Sequence, residues 1–118
     1  MFDLIIRSDR VVTPAGVIAA DVAISGQKIA GVAAAGTYDA KSAKRFIDAT
    51  GKIVMPGGID PHVYLKWYTP HPDGTVTYTD GPSTVSRAAL FGGTTTMIDF
   101  ARWTHGKTIQ QAIEDRHK

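Results

Sequence analysis

The stretch Gly57-Gly58-Ile59-Asp60-Pro61-His62-Val63-Tyr64-Leu65 holds the residues most able to do chemistry. In an extended backbone, residues i and i+2 point to the same side. Two imidazoles at that spacing can hold one metal ion, so a His-x-His pair at a strand end is a simple chelate. Here the second position is Tyr64. A phenol ionises at about pH 10, so it is a poor zinc ligand at neutral pH unless the metal removes its proton. From its residues alone, His62 is either a single metal ligand or a packed, hydrogen-bonded histidine. Asp60 is open in the same way. It can orient a ligand histidine as a hydrogen-bond partner behind the metal, or it can fix the turn before Pro61. A second position is Asp99, at the end of "TTTMIDF". It can stand behind a ligand too, but bonding to nearby backbone amides is the expected role. Lys66, His71, His105 and Lys107 fall in loops or at their ends and read as solvated side chains. His117, in the last helical turn, reads as surface.

The elements that must position these groups divide into two halves. Residues 1–55 are strand-like. "FDLIIRSDRVVTPAG" holds two β-branched runs separated by the polar "RSDR" and closed by a Pro-Ala-Gly turn. "ADVAISGQKIAGVAAAG" reads as a hairpin turning at Ser25-Gly26-Gln27. Phe46–Ile47 and Ile53–Met55 make two more short strands, and "YDAKSAKR" between them and the hairpin reads as a loop. From Pro56 the pattern changes. "GIDPHVYL" ends a strand and enters a loop. "KWYTPHPDGTVTYTDGP", with its three prolines and two glycines, reads as a long irregular connection of the kind that often carries function. A helix is expected over "PSTVSRAALF", with Pro82 in its first turn and Gly92-Gly93 as its stop. The Gly57-Gly58 pair suits either a close backbone approach or positive φ. "TTTMIDF" lacks alternation and is expected to be a strand buried on both faces. A second helix opens at Thr108, with Gln111 completing a capping box. Strand, loop, helix, strand, loop, helix implies parallel strands with right-handed crossovers. Two such strands do not finish a sheet, so the chain is expected to be a fragment of a larger α/β fold.

Composition sets the outer bounds. The 118 residues are 43% hydrophobic and 20% charged, with a formal net charge of +2. These proportions are ordinary for a globular domain with a core. Basic residues are scattered, which argues against nucleic acid or an anionic membrane surface as partner. With no cysteine, disulfides and thiolate metal sites are excluded, and a cytoplasmic setting is expected. The longest apolar run near the start, Leu4–Ile6, is too short for a signal peptide or a membrane span.

"VMPGGIDPHVYL" followed by "SRAALFGGTTTMIDF" closely resembles the start of the cyclic amidohydrolases, in particular the dihydropyrimidinases and D-hydantoinases. "FDLIIRSDRVVTPAGVIAADVAISGQKIAGV" is similar to that family's N-terminal β-sandwich strands. The resemblance implies an α/β fold: residues 1–55 as N-terminal sandwich strands, and residues 56–118 as the first two βα units of a (β/α)8 barrel. It implies a hydrolase that opens dihydropyrimidines or 5-substituted hydantoins. The attacking group would be a hydroxide held by two divalent metals, commonly zinc. The family's ligands are a His-x-His after the first barrel strand, a carboxylated lysine, two further histidines and an aspartate that is also the general base and acid. Only His62 matches one of these positions, and Tyr64 stands where the second histidine belongs. The catalytic aspartate is not matched, so this chain alone is expected to be inactive. The partners implied are a small cyclic amide and further copies of the protein, as a tetramer. Tyr64 also keeps open a non-catalytic relative that lost metal ligands and serves as a binding or scaffold protein.

Overall fold

The computed structural model describes residues 1–117 of the chain. The end of the expected 56–118 segment, Lys118, lies outside the described residues. Two compact units divide between Pro56 and Gly57.

The first unit is one five-stranded sheet. Its strands are β1 (Phe2–Thr13), β2 (Gly16–Ser25), β3 (Lys28–Ala34), β4 (Ala43–Asp48) and β5 (Ile53–Val54). The order is β3-β2-β1-β4, with β5 also on β1. β2 is antiparallel to both β1 and β3, whereas β4 and β5 run parallel to β1. Gly26, at φ 59°, carries the β2–β3 turn where a side chain would be strained. Ile5 and its register partner Ala23 are fully buried on one face. Val11, Ala20 and Val22 form a cluster, with Ile6, Ile24 and Val54 packed against it.

Two sequence expectations are corrected in this unit. "RSDR" does not separate two strands, because β1 runs unbroken through it. The polar residues find partners within the sheet. Ser8 is fully buried and its hydroxyl donates to the Lys52 carbonyl at 2.7 Å. A register shift between Ser8 and Val11 takes up the irregularity. "YDAKSAKR" is not all loop either. Asp39 caps a 3₁₀ turn over Ala40–Ser42, and β4 has already begun at Ala43.

The centre of this unit's polar chemistry is the pair Arg7–Asp21. The two are register partners on β1 and β2. Arg7 donates to both carboxylate oxygens of the fully buried Asp21, at 2.7 and 2.9 Å. Asp21 also accepts from the backbone N–H groups of Gly36 and Tyr38, each at 3.0 Å. Arg7 reaches the Tyr38 carbonyl at 2.8 Å. A buried carboxylate is tolerated here because four donors meet it.

The second unit begins with β6 (Gly58–Val63) and continues through β7 (Tyr68–Pro70), β8 (Val76–Tyr78), α1 (Pro82–Phe91), β9 (Thr94–Asp99) and α2 (Ile109–Arg116). β6 and β9 pair in parallel, and α1 makes the crossover between them. A side chain on Gly57 would collide with Thr95, so the glycine serves close approach and not positive φ. Gly93, at φ 84°, does use the left-handed region to leave α1. α2 carries the capping box: Thr108 Oγ1 accepts from Gln111 N–H, and Gln111 Oε1 accepts from Thr108 N–H.

Two expectations are corrected here. The segment after Leu65 is not irregular throughout. β7 and β8 form an antiparallel hairpin in the register Tyr68–Tyr78, Thr69–Thr77, Pro70–Val76. Alternating Val-Thr-Tyr residues favour it, and Gly74 at φ 83° makes the turn. The motif lies at the carboxyl end of its strand, where β6 extends through His62 to Val63. β9 is not buried on both faces: Ile98 is 53% exposed, and among the described residues the strand pairs only with β6.

Candidate functional site

Pro61 lies inside β6 and has no N–H to give the ladder. The register with β9 shifts between Asp60 and Val63. Asp60 Oδ1 bridges this irregularity by accepting from the His62 backbone N–H at 3.1 Å. This bond holds the turn and fits one of the two roles open to Asp60, that of fixing the chain around Pro61. A local bulge at a strand end is a common device for aiming one side chain. Here the side chain is that of His62.

The His62 ring points at Tyr64. Nε2 and the phenol oxygen share a hydrogen bond at 2.8 Å. Both rings lie against Phe100, the residue just after β9. The His62–Phe100 centroids are 4.6 Å apart, and Tyr64 stacks on Phe100 at 5.0 Å with 20° between the planes. Trp67 meets the Tyr64 ring edge-on at 4.8 Å. The Arg102 guanidinium lies 3.9 Å from the Tyr68 ring centre and 5.2 Å from that of Trp67. The site is thus an aromatic cluster around one histidine, drawn from the ends of β6 and β9 and the start of the hairpin. Aromatic pairs in such offset and edge-on arrangements gain stability beyond the area they bury.

Asp99 turns away from this cluster. Its Oδ1 accepts from the Leu65 N–H at 3.2 Å, and its Oδ2 is ion-paired with Arg116. Arg116 also donates to the Leu65 carbonyl. The pair fastens α2 to the segment leaving β6. The remaining candidates are spread out. His71 Nε2 bonds to Thr77 Oγ1 across the hairpin at 2.9 Å, so it is less free than a loop histidine was expected to be. His105 lies beside Trp103, with ring centres 6.3 Å apart. Lys107 is ion-paired with Asp115, and His117 caps the C-terminus of α2. Lys66 takes φ 45° and donates its N–H to the Asp80 carbonyl at 3.0 Å.

These residues do not make a holder for a divalent metal. Among the described residues, no three His, Cys, Asp or Glu side chains come together. Of the two ring nitrogens that His62 could offer, Nε2 is already bonded to Tyr64. Sequence spacing identified His62, Tyr64 and Asp60 as neighbours. It missed Phe100, Trp67 and Arg102. Trp67 lies only three residues beyond Tyr64, but Phe100 joins through the β6–β9 pairing, which local spacing does not display.

No family model matches the chain. Individual relatives do. A D-hydantoinase from Streptomyces coelicolor is 38% identical over 115 residues, which is 96% of this chain and 24% of the relative. The crystal structure of a D-hydantoinase from Bacillus sp. AR9 superposes with a TM-score of 0.79 at 42% identity, covering 98% of this chain and 24% of that one. A dihydropyrimidinase from Brevibacillus agri gives a TM-score of 0.79 at 40% identity, covering 99% and 24%. The chain spans about a quarter of the length of the relatives it matches.

Proposed function

We infer the function from the premise that this chain is homologous, over nearly its whole length, to the N-terminal part of the D-hydantoinases and dihydropyrimidinases. The proposed function is that of the N-terminal portion of a hydrolase that opens cyclic amides, with dihydropyrimidines or 5-substituted hydantoins as the substrate class. The observation that carries this is the end-to-end match in both sequence and fold at about 40% identity. In this reading residues 1–55 are sandwich strands, and the unit from Gly57 is the opening of a (β/α)8 barrel. The working protein is a cytoplasmic homo-oligomer, and its ligand is a small cyclic amide. A divalent metal such as zinc would supply the hydroxide that attacks the ring carbonyl. Among the described residues no three metal-ligating side chains come together, so in this reading the ligands other than His62 would be supplied by the part of such a hydrolase that this chain does not span. His62 is the one position that matches a family ligand. The 118-residue chain by itself is expected to be inactive, because His62 alone matches a family ligand position and no catalytic aspartate is matched.

A second reading is a non-catalytic relative that keeps the fold and binds partners. One observation favours it: Tyr64 in place of a histidine, bonded to His62. The two readings separate in one assay. The reading frame encoding this chain, expressed to its full extent and supplied with zinc, is mixed with dihydrouracil and with a 5-substituted hydantoin. Ring opening supports the hydrolase. A folded product that opens neither ring supports the binding protein. The 118-residue chain assayed beside it should show no turnover, and turnover by it would refute its inactivity.

A further inference from the structure

We propose that Tyr64 locks His62 against metal: the phenol and a divalent cation compete for the same imidazole nitrogen. The inference rests on the family reading only for the kind of ion expected at this strand end. The geometry carries the rest.

Nε2 of His62 and the Tyr64 hydroxyl are 2.8 Å apart. If Nε2 is the acceptor, the hydroxyl occupies its lone pair. If Nε2 carries the proton, there is no lone pair to give. A metal that takes this nitrogen must break the hydrogen bond in either tautomer. The phenol is 43% exposed but is held by rings on two sides. Its ring is stacked on Phe100 at 5.0 Å and met edge-on by Trp67 at 4.8 Å. His62 itself packs on Phe100 at 4.6 Å, and Asp60 fixes its backbone. Tyr64 therefore acts on His62 as a positioning residue, and its hydroxyl, not its ring, is what excludes the ion.

The alternative is that Tyr64 is itself a ligand through its ionised oxygen. The two ideas predict opposite signs for one substitution. Tyr64→Phe keeps the stacked ring and removes the hydroxyl. Zinc is titrated into the wild-type chain and this variant by calorimetry, with His62→Asn added to each background as a control. The lock predicts that Tyr64→Phe binds zinc about tenfold more tightly, the equivalent of one ordinary hydrogen bond. It also predicts that His62→Asn removes the gain. Equal affinity, or weaker affinity in Tyr64→Phe, overturns the lock.

Should Tyr64→Phe fail to fold, the wild-type chain answers by NMR. Zinc that moves the His62 ring nitrogens should move the hydroxyl-bearing carbon of Tyr64 toward a free phenol. Zinc that moves His71 but leaves both His62 and Tyr64 unchanged also supports the lock. A shift toward a phenolate, or a response of His62 without Tyr64, overturns it. No cyclic amide enters these measurements, so failure of the lock and failure of the hydrolase reading are seen separately.

Discussion

The two units solve the problem of polar groups in opposite ways. In the first, charge is buried and satisfied. Asp21 is fully buried and collects Arg7 and two backbone N–H groups inside a five-stranded sheet. In the second, the notable polar group is an exposed histidine held by rings, on a strand with one paired neighbour. The first unit's polar contacts serve its own stability. The second unit's cluster is arranged around the exposed His62 ring. That contrast is the reason the candidate site is placed in the second unit.

The contrast can be broken most severely at Asp21. Asp21→Ala leaves Arg7 without its carboxylate and two backbone donors without their acceptor. The expected loss is about 3 kcal/mol, read as a lower urea midpoint for the first unit. Hydrogen exchange should show that protection in β6 and β9 changes far less.

Acid sharpens the same comparison. The Arg7 hydrogen bond, with help from the Tyr38 and Gly36 N–H groups, lowers Asp21 from 3.8 to about 2 against the opposing effect of burial. A carboxylate depressed on folding stabilises the protein above its unfolded value, and that stability is lost as pH falls through the folded value. The window is therefore about pH 4 down to about pH 2, and the contribution is on the order of 2 kcal/mol. Asp3, Asp9 and Asp48 are also lowered, each chiefly by a hydrogen bond: from Gly26, Gly51 and Thr50 respectively. In the second unit Asp73 is lowered, by Thr75. Circular dichroism and residue-level exchange between pH 5 and pH 2 should show the first unit losing stability more steeply.

The smallest effect is expected at α2. Thr108→Ala removes half of the capping box and should cost about 1 kcal/mol of local helix stability. Faster amide exchange in α2, with the first unit unchanged, is the check.

The legible and illegible parts of this molecule differ by range. Turns, caps and the βα alternation are local, so Gly26, Gly93 and the Thr108–Gln111 box could be read from the chain. The β7–β8 hairpin was also local, but its alternating Tyr, Thr and Val residues were hidden by three prolines that suggested a loop. The continuity of β1 depended on Lys52, 44 residues from Ser8, accepting its hydroxyl. No local pattern shows that. At the site, the His62–Tyr64 spacing was plain, and extended backbone does bring the two side chains together. The sequence leaves two roles open for Asp60, and its bond to the His62 backbone N–H favours the turn. Phe100 and Arg102 came from the far side of the strand pairing and could not be seen.

We propose that this strand end corresponds to the metal-binding position of a cyclic-amide hydrolase, with one ligand replaced by Tyr64 and the other, His62, locked by it. Tyr64→His in the full-length product tests it most directly, with bound zinc per protomer and hydantoin opening measured on the same preparation. The account predicts that both rise above the parent. No change in either would contradict it and would show that the position was never a ligand site.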